Sequence, residues 1–153
     1  MDIKFVKYTR IFLEKSSGWL NDNEIKKLTM TPKFSQKVQS EWFENLENRT
    51  DYYIWGIEYN NIPIGAVGLK HIDYESAEAE YFGYIGEKEL WGKGIGKSMM
   101  LYIQNRAEML GIKMIYLRVA DYNLRAINLY KKMGYLIIGK DGYVIKIGKK
   151  IVK

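Results

Sequence analysis

The sequence predicts one α/β (α+β) domain built on a mixed, mostly antiparallel sheet of six to seven strands with about four flanking helices. Three observations carry this. The 153 residues match one ordinary domain, with no repeat, linker or low-complexity stretch. Apolar residues recur at helical spacing in some segments and alternate or run on in others. In the second half, a strand, a glycine-rich loop, a long helix and another strand follow in turn. That order calls for a parallel pair joined by a right-handed crossover.

The elements follow in order. Ile3–Val6 reads as a short first strand, and Phe12–Leu20 and Asn23–Leu28 as short helices around Asn21-Asp22-Asn23. Thr31-Pro32 breaks the chain, because a residue before proline avoids the helical region. Val38, Trp42 and Leu46 then fall on one face of a helix over Ser35–Asn48. Tyr52–Tyr59 is an aromatic-rich strand, and Asn60-Asn61 suits a two-residue hairpin turn because Asn tolerates positive φ. Ile62–Asp73 and Ala77–Ile85 are the next strands. Ile95, Met99, Ile103, Ala107 and Leu110 form the stripe of a long helix closed by Gly111. Met114–Ala120 is a strand; Leu124, Ile127 and Met133 mark a helix closed by Gly134. Tyr135–Ile138 and Tyr143–Ile147 end the sheet across an Asp141-Gly142 turn. In the last strand Ile145, Ile147 and Ile151 interleave with Lys146, Lys149, Lys150 and Lys153, the pattern of an amphipathic strand rather than a basic arm.

Composition narrows the function. With 47% hydrophobic and 14% aromatic residues and two prolines, the chain is not disordered. Cysteine is absent, which removes disulfides, thiolate zinc sites, iron–sulfur clusters and cysteine nucleophiles. His71 is the single histidine, so most Ser–His–Asp arrangements lose their base, and no metal site is expected. The start carries no apolar leader and no run approaches ~18 apolar residues, so the expectation is a cytoplasmic protein without a membrane partner. The formal charge of +6 suits a solvated surface or an anionic ligand. It is also the sole support for a nucleic-acid partner, which is not expected.

The loop Trp91-Gly92-Lys93-Gly94-Ile95-Gly96-Lys97-Ser98 follows a strand and opens a helix. Its glycines let the backbone approach a ligand, the helix N-terminus adds partial positive charge, and Lys93 and Lys97 add whole charges. Together these form an anion cradle suited to phosphates. A dinucleotide fingerprint fails because Lys97 and Met99 stand where glycine is needed. Gly96-Lys97-Ser98 imitates the end of a P-loop, with Asp121 as a candidate magnesium ligand, but Trp91 occupies the place of its first glycine.

The same loop resembles the pyrophosphate loop of the GNAT acetyltransferases, Q/R-x-x-G-x-G/A, with Trp91 in the Q/R place. A second motif, N-x-x-A-x-x-x-Y closed by G-F/Y, matches Asn123, Ala126, Tyr130 and Gly134-Tyr135. The resemblance is tightest over Ala79–Tyr135. It implies a GNAT-like sheet whose central strands splay near Tyr81–Ile85 and Met114–Ala120, with acetyl-CoA in the wedge. By resemblance the pyrophosphate lies on the amides from Gly92 to Ser98, and Asn123 bonds the pantetheine arm past the small Ala126. By the same resemblance Tyr130 addresses the leaving sulfur; a phenol near pKa ~10, above a thiol near ~8.5, stays protonated and can donate. The Ile85 N–H serves the acyl oxygen.

The base is open among Glu80, Glu78, His71 and water. Glu78 and Glu80 share one side of their strand, and paired carboxylates raise one pKa. The first half, around Trp19–Met30, the Thr29–Phe34 loop and Tyr52–Trp55, is expected to flank the amine acceptor. Trp19, Tyr53, Trp55, Tyr74 and Tyr81 are candidate stacking rings, though most are expected in the core. The WLND and WGKG segments resemble the branch of ribosomal-protein N-terminal and nucleotide-amino-sugar acetyltransferases. An amino-sugar acceptor is favoured. The alternatives are a protein N-terminus, a non-catalytic acyl-CoA-binding module and, remotely, a P-loop phosphotransferase. A monomer or homodimer is expected.

Overall fold

Strand pairing starts at the N-terminus, where β1 (Ile3–Lys7) lies antiparallel to β2 (Tyr53–Tyr59). The chain is seen here in a computed structural model that describes residues 2–151. β2 turns into β3 (Ile62–Asp73) through Asn60 and Asn61, whose φ values of 49° and 67° are those of the expected hairpin turn. β3 pairs antiparallel with β4 (Glu78–Ile85). β4 and β5 (Met114–Ala120) are the one parallel pair among the described residues, connected through α4 (Ile95–Met109). β7 (Val144–Lys150) lies between β5 and the edge strand β6 (Leu136–Asp141), giving the order β1-β2-β3-β4-β5-β7-β6. The mixed, mostly antiparallel sheet thus has seven strands.

Five α-helices cover its two faces, one more than expected. α1 (Arg10–Asn21), α2 (Asn23–Thr29) and α3 (Gln36–Glu44) lie on one side; α4 and α5 (Leu124–Lys132) lie on the other. The main core is the α4/α5 side, where Leu69, Met100, Ile103, Ile115 and Ile147 are almost wholly buried. A smaller core holds Tyr8, Phe12, Leu13 and Ala66 beneath α1 and α3. Asp22 ends α1 and caps α2, its side chain accepting from the N–H groups of Glu24 and Ile25.

The single helix expected over Ser35–Asn48 is shorter. α3 stops at Glu44 and a 3-10 turn, Leu46–Asn48, follows. Val38 is 56% exposed rather than buried, so the apolar stripe from Val38 to Leu46 is not one packed face. The last two strands run three residues further than expected, because Asp141 and Lys150 still pair across the sheet. In β7, Ile145 and Ile147 are buried and Lys149 donates to the Met133 carbonyl at the end of α5 (2.8 Å). Lys153, also read as part of this alternation, lies outside the described residues.

The feature that positions the site is the parallel pair. β4 and β5 are in register only over Glu78–Glu80 and Met114–Tyr116. Beyond that point β4 continues to Ile85 and β5 to Ala120 with no pairing between them, so the sheet opens at its centre. This is the expected splay.

Candidate active site

The opening between β4 and β5 leads into a cleft of 1240 Å³ that runs through the sheet from α5 and the glycine loop to α1, α2 and α3. Its geometry follows from strand alternation. Gly86 donates to the Ile64 carbonyl of β3 (2.6 Å). Because successive backbone groups of a strand point to opposite sides, the Ile85 N–H faces the splay, where β5 offers no partner. The Ile85 carbonyl, on the same side, is taken by the Trp91 indole N–H at 2.9 Å.

That bond explains the departure from the Q/R pattern. Indole has one donor, and Trp91 uses it to tie the loop to the end of β4 (Ile85) while Arg125 lies 5.5 Å above its ring. Trp91 is therefore a brace of the loop. Gly92 and Gly94 have φ of 78° and 84°, and a Cβ at either would meet nothing within 4 Å. They are glycine for their backbone conformation, and open space lies over them. Gly94 supplies no side-chain cap to α4, so the first N–H groups of this 15-residue helix are free to meet an anion.

The remaining loop residues divide. Gly96 and Lys97 line the cleft; Lys93 is exposed outside it, and Ser98 is not on its wall. The Ile95 side chain is buried in the main core, so only its backbone faces the loop. A Cβ on Gly96 would meet Leu129 at 2.9 Å, which shows how closely α5 approaches α4 there.

Asn123, Ala126 and Tyr130 line the opposite wall. Asn123 caps α5 by accepting from the Ala126 N–H (3.4 Å), which leaves its amide donor available to the cleft. Tyr130 packs edge-on to Tyr81, ring centroids 6.2 Å apart. Burial pushes its hydroxyl up to about 12, so it is a phenol donor throughout the physiological range.

Glu80 is 4% exposed and lines the cleft from the α1–α3 side. The His71 Nδ1 donates to its carboxylate at 2.9 Å and the Lys70 ammonium lies 3.9 Å away. His71 itself stands in a β-bulge with φ of 51°, is more than half exposed and does not line the cleft. It is a hydrogen-bond partner of Glu80. Glu78 is exposed and accepts from the Ser76 hydroxyl (3.3 Å). Glu80 is therefore neighboured by the His71 imidazole and the Lys70 ammonium rather than by a second carboxylate, and the paired-carboxylate expectation is not met.

The expected stacking rings are mostly elsewhere. Trp19 is buried and donates to Glu87 (3.1 Å), Tyr53 and Trp55 pack on the α4 side, and Tyr74 is exposed with its hydroxyl on the Thr50 carbonyl. Of the five, only Tyr81 lines the cleft. Tyr8, Trp42, Tyr52, Phe82 and Tyr84 form its aromatic wall instead. Tyr52, Phe82 and Tyr84 have the opposite parity to Tyr53, Trp55 and Tyr81 along the chain, while Trp42 comes from α3 and Tyr8 from the turn after β1, which composition does not reveal. Arg125 was also missed. A cation in the first turn of a helix opposes the macrodipole, and that was its available signal.

Comparison with known proteins gives four findings. The model of the Acetyltransferase (GNAT) family matches residues 22–135. An uncharacterized Methanocaldococcus jannaschii protein is 30% identical over 95 residues, 61% of this chain and 19% of that protein. A probable spermine N(1)-acetyltransferase of Bacillus subtilis subsp. natto is 40% identical over 55 residues, 35% of this chain and 36% of the relative. The matched segment thus spans well under two thirds of either relative. In fold, the chain is similar to the Vibrio cholerae spermidine N-acetyltransferase solved with CoA and spermine. The TM-score is 0.87 at 22% identity, covering 97% of this chain and 95% of that one.

Proposed function

Because the chain belongs to the acetyltransferase (GNAT) family, we propose that it is an N-acetyltransferase moving an acetyl group from acetyl-CoA to a primary amine of a small molecule. The observation that carries this is the splay. It brings the unpartnered Ile85 N–H, the Tyr130 hydroxyl and the buried Glu80 carboxylate onto one cleft that begins at the open N-terminus of α4. The mostly antiparallel sheet is also unlike the parallel sheet that frames a P-loop, and the phosphotransferase alternative is set aside.

Acetyl-CoA supplies the activated acyl thioester. The cradle fits its pyrophosphate: the free N–H groups of α4, the open space over Gly92 and Gly94, and Lys97 and Arg125 provide donors and charge. The Asn123 amide donates to the pantetheine arm beside Ala126. The Ile85 N–H stabilises charge developing on the acyl oxygen. Glu80, held by His71 and Lys70, takes the proton of the incoming amine, directly or through water.

Tyr130 donates a hydrogen bond to the departing sulfur. Burial raises its hydroxyl to about 12, above roughly 8.5 for a thiol, which favours a shared hydrogen bond over complete transfer. Its role is thus to stabilise the leaving thiolate by a hydrogen bond, with solvent completing the protonation.

The relatives named for spermine and spermidine support a small amine acceptor. Within that class we read the acceptor as an amino sugar, because rings such as Trp42, Tyr52 and Tyr84 line the α1–α3 end of the cleft and aromatic faces suit sugar rings. The protein is read as a cytoplasmic monomer or homodimer. The test is release of CoA thiol from acetyl-CoA with a panel of free hexosamines, nucleotide-linked hexosamines, polyamines and peptides. Release dependent on a small amine is expected; no release with any amine, or release with peptides alone, would overturn the proposal.

A further inference from the structure

The charge on the acceptor end of the cleft runs opposite to what a polyamine needs. The cleft has two carboxylates, Glu24 and Glu80, and each already has a cation. Glu24 is 3.2 Å from Lys88 and Glu80 is 3.9 Å from Lys70 besides accepting from His71. A linear polyamine with one amine neutral still carries at least one more ammonium. Stripping its water without a free carboxylate to meet it is costly.

Cations stand in the same region. Leu117 and Val119 of β5 are buried in the main core, so Arg118 between them points the other way, to the face that Glu80, Phe82 and Tyr84 share, and it lines the cleft. In the β5–β7 register Arg118 lies directly opposite Lys146. Like charges facing each other across an antiparallel pair are destabilising. Neither has an ion-pair partner among the described residues, and the Lys146 ammonium rests 4.4 Å from the centre of the Tyr116 ring on the same face. Arg118, on the cleft wall and without a neutralising partner among the described residues, with Lys146 facing it from β7 behind that wall, is a ready receptor for a phosphate, which a guanidinium can grip with two parallel hydrogen bonds.

We propose that Arg118, backed by Lys146, is an anion subsite for the acceptor, selecting a primary amine carried on a phosphate-bearing body and excluding polyamines. The proposal rests on the transferase reading and deepens it. The glycine loop, Lys97 and Arg125 provide separate charge for the cofactor. A sugar phosphate and a nucleoside diphosphate-linked amino sugar share the chemistry that Arg118 reads.

Calorimetry on the CoA-saturated protein tests it with three probes: glucosamine 6-phosphate, uridine diphosphate-glucosamine and spermidine. At least one phosphate-bearing amine is expected to bind tenfold or more tightly than spermidine. Arg118→Gln should weaken that binding tenfold or more, and Lys146→Gln less, with the CoA Kd unchanged in both, which also shows that the variants fold. The phosphate arm that binds better identifies which body the subsite serves. Spermidine binding as tightly, phosphate-bearing amines failing to bind, or indifference to Arg118→Gln would overturn the subsite. A weakened CoA Kd in Arg118→Gln would do so too, by assigning the arginine to the cofactor. Failure of the unaltered protein to bind CoA would instead defeat the transferase reading itself.

Discussion

The role proposed for Tyr130 depends on packing: Tyr81 and Tyr135 lie with their rings 6.2 Å from its own, and the burial that raises its pKa also holds its ring at the cleft wall. Tyr130→Phe keeps the ring and removes the donor. The expected result is acetyl-CoA affinity unchanged by calorimetry and kcat lower by about tenfold or more; an unchanged kcat would move the donor to water or another tyrosine. Glu80→Gln keeps the shape and removes the proposed base, so kcat/KM should fall by about a hundredfold. An unchanged kcat/KM would point to another base. Tyr135 is the control. Its buried hydroxyl has no hydrogen-bond partner among the described residues, so Tyr135→Phe should raise stability in urea by about 1 kcal/mol and leave turnover unchanged.

At the scale of elements, the loop before α4 and the cap of α2 each depend on local rules. Gly94→Val forces a β-branched residue into a left-handed conformation at a cost of roughly 1–2 kcal/mol. The folded variant should bind acetyl-CoA far more weakly than the unaltered protein in a fluorescence titration; intact affinity would remove the loop from the cofactor site. Asp22 joins α1, α2 and the segment before the loop. The Lys88 ammonium at 2.9 Å, then the Ile25 and Glu24 N–H groups, hold its carboxyl below the usual range. A carboxyl lowered by folding stabilises the protein above its unfolded pKa of about 3.9 and loses that effect as the pH falls through the folded value. Asp22→Asn retains an acceptor for the cap and removes the titration. Between pH 5 and 2.5 the variant should lose less Tm than the unaltered protein; parallel losses would contradict the assigned role.

These elements also show what the chain declared in advance and what it concealed. Asn60-Asn61 and the glycine-rich loop are legible because few residues tolerate those backbone angles. The splay follows from a resemblance; no pattern in β4 or β5 encodes it. The aromatic wall was misread by parity, since Tyr53 and Trp55 face α4 while Tyr52 and Ile54 face the cleft. Nothing local tells a strand buried on both faces which side will meet a ligand. Val38 looked like core by spacing, yet it lines an open wall of the cleft, where apolar periodicity is the same. Trp91 was legible only as the occupant of the Q/R place in the loop pattern, and the Ile85 carbonyl beside its indole reveals the brace.

At the scale of the whole molecule, the sheet is one continuous frame except where β4 and β5 part, and the cleft occupies that gap. A ligand that fills it ties the two halves of the sheet together, so it should stabilise the entire domain. At 100 times its Kd a ligand adds about 2.7 kcal/mol, which in a domain of this size moves Tm by several degrees. The most direct measurement is thermal unfolding with acetyl-CoA, beside Mg-ATP and NAD at equal concentration. A rise of several degrees with acetyl-CoA alone is expected. An unchanged Tm with saturating acetyl-CoA, or a rise with Mg-ATP or NAD instead, would contradict an acetyl-CoA site in the splay.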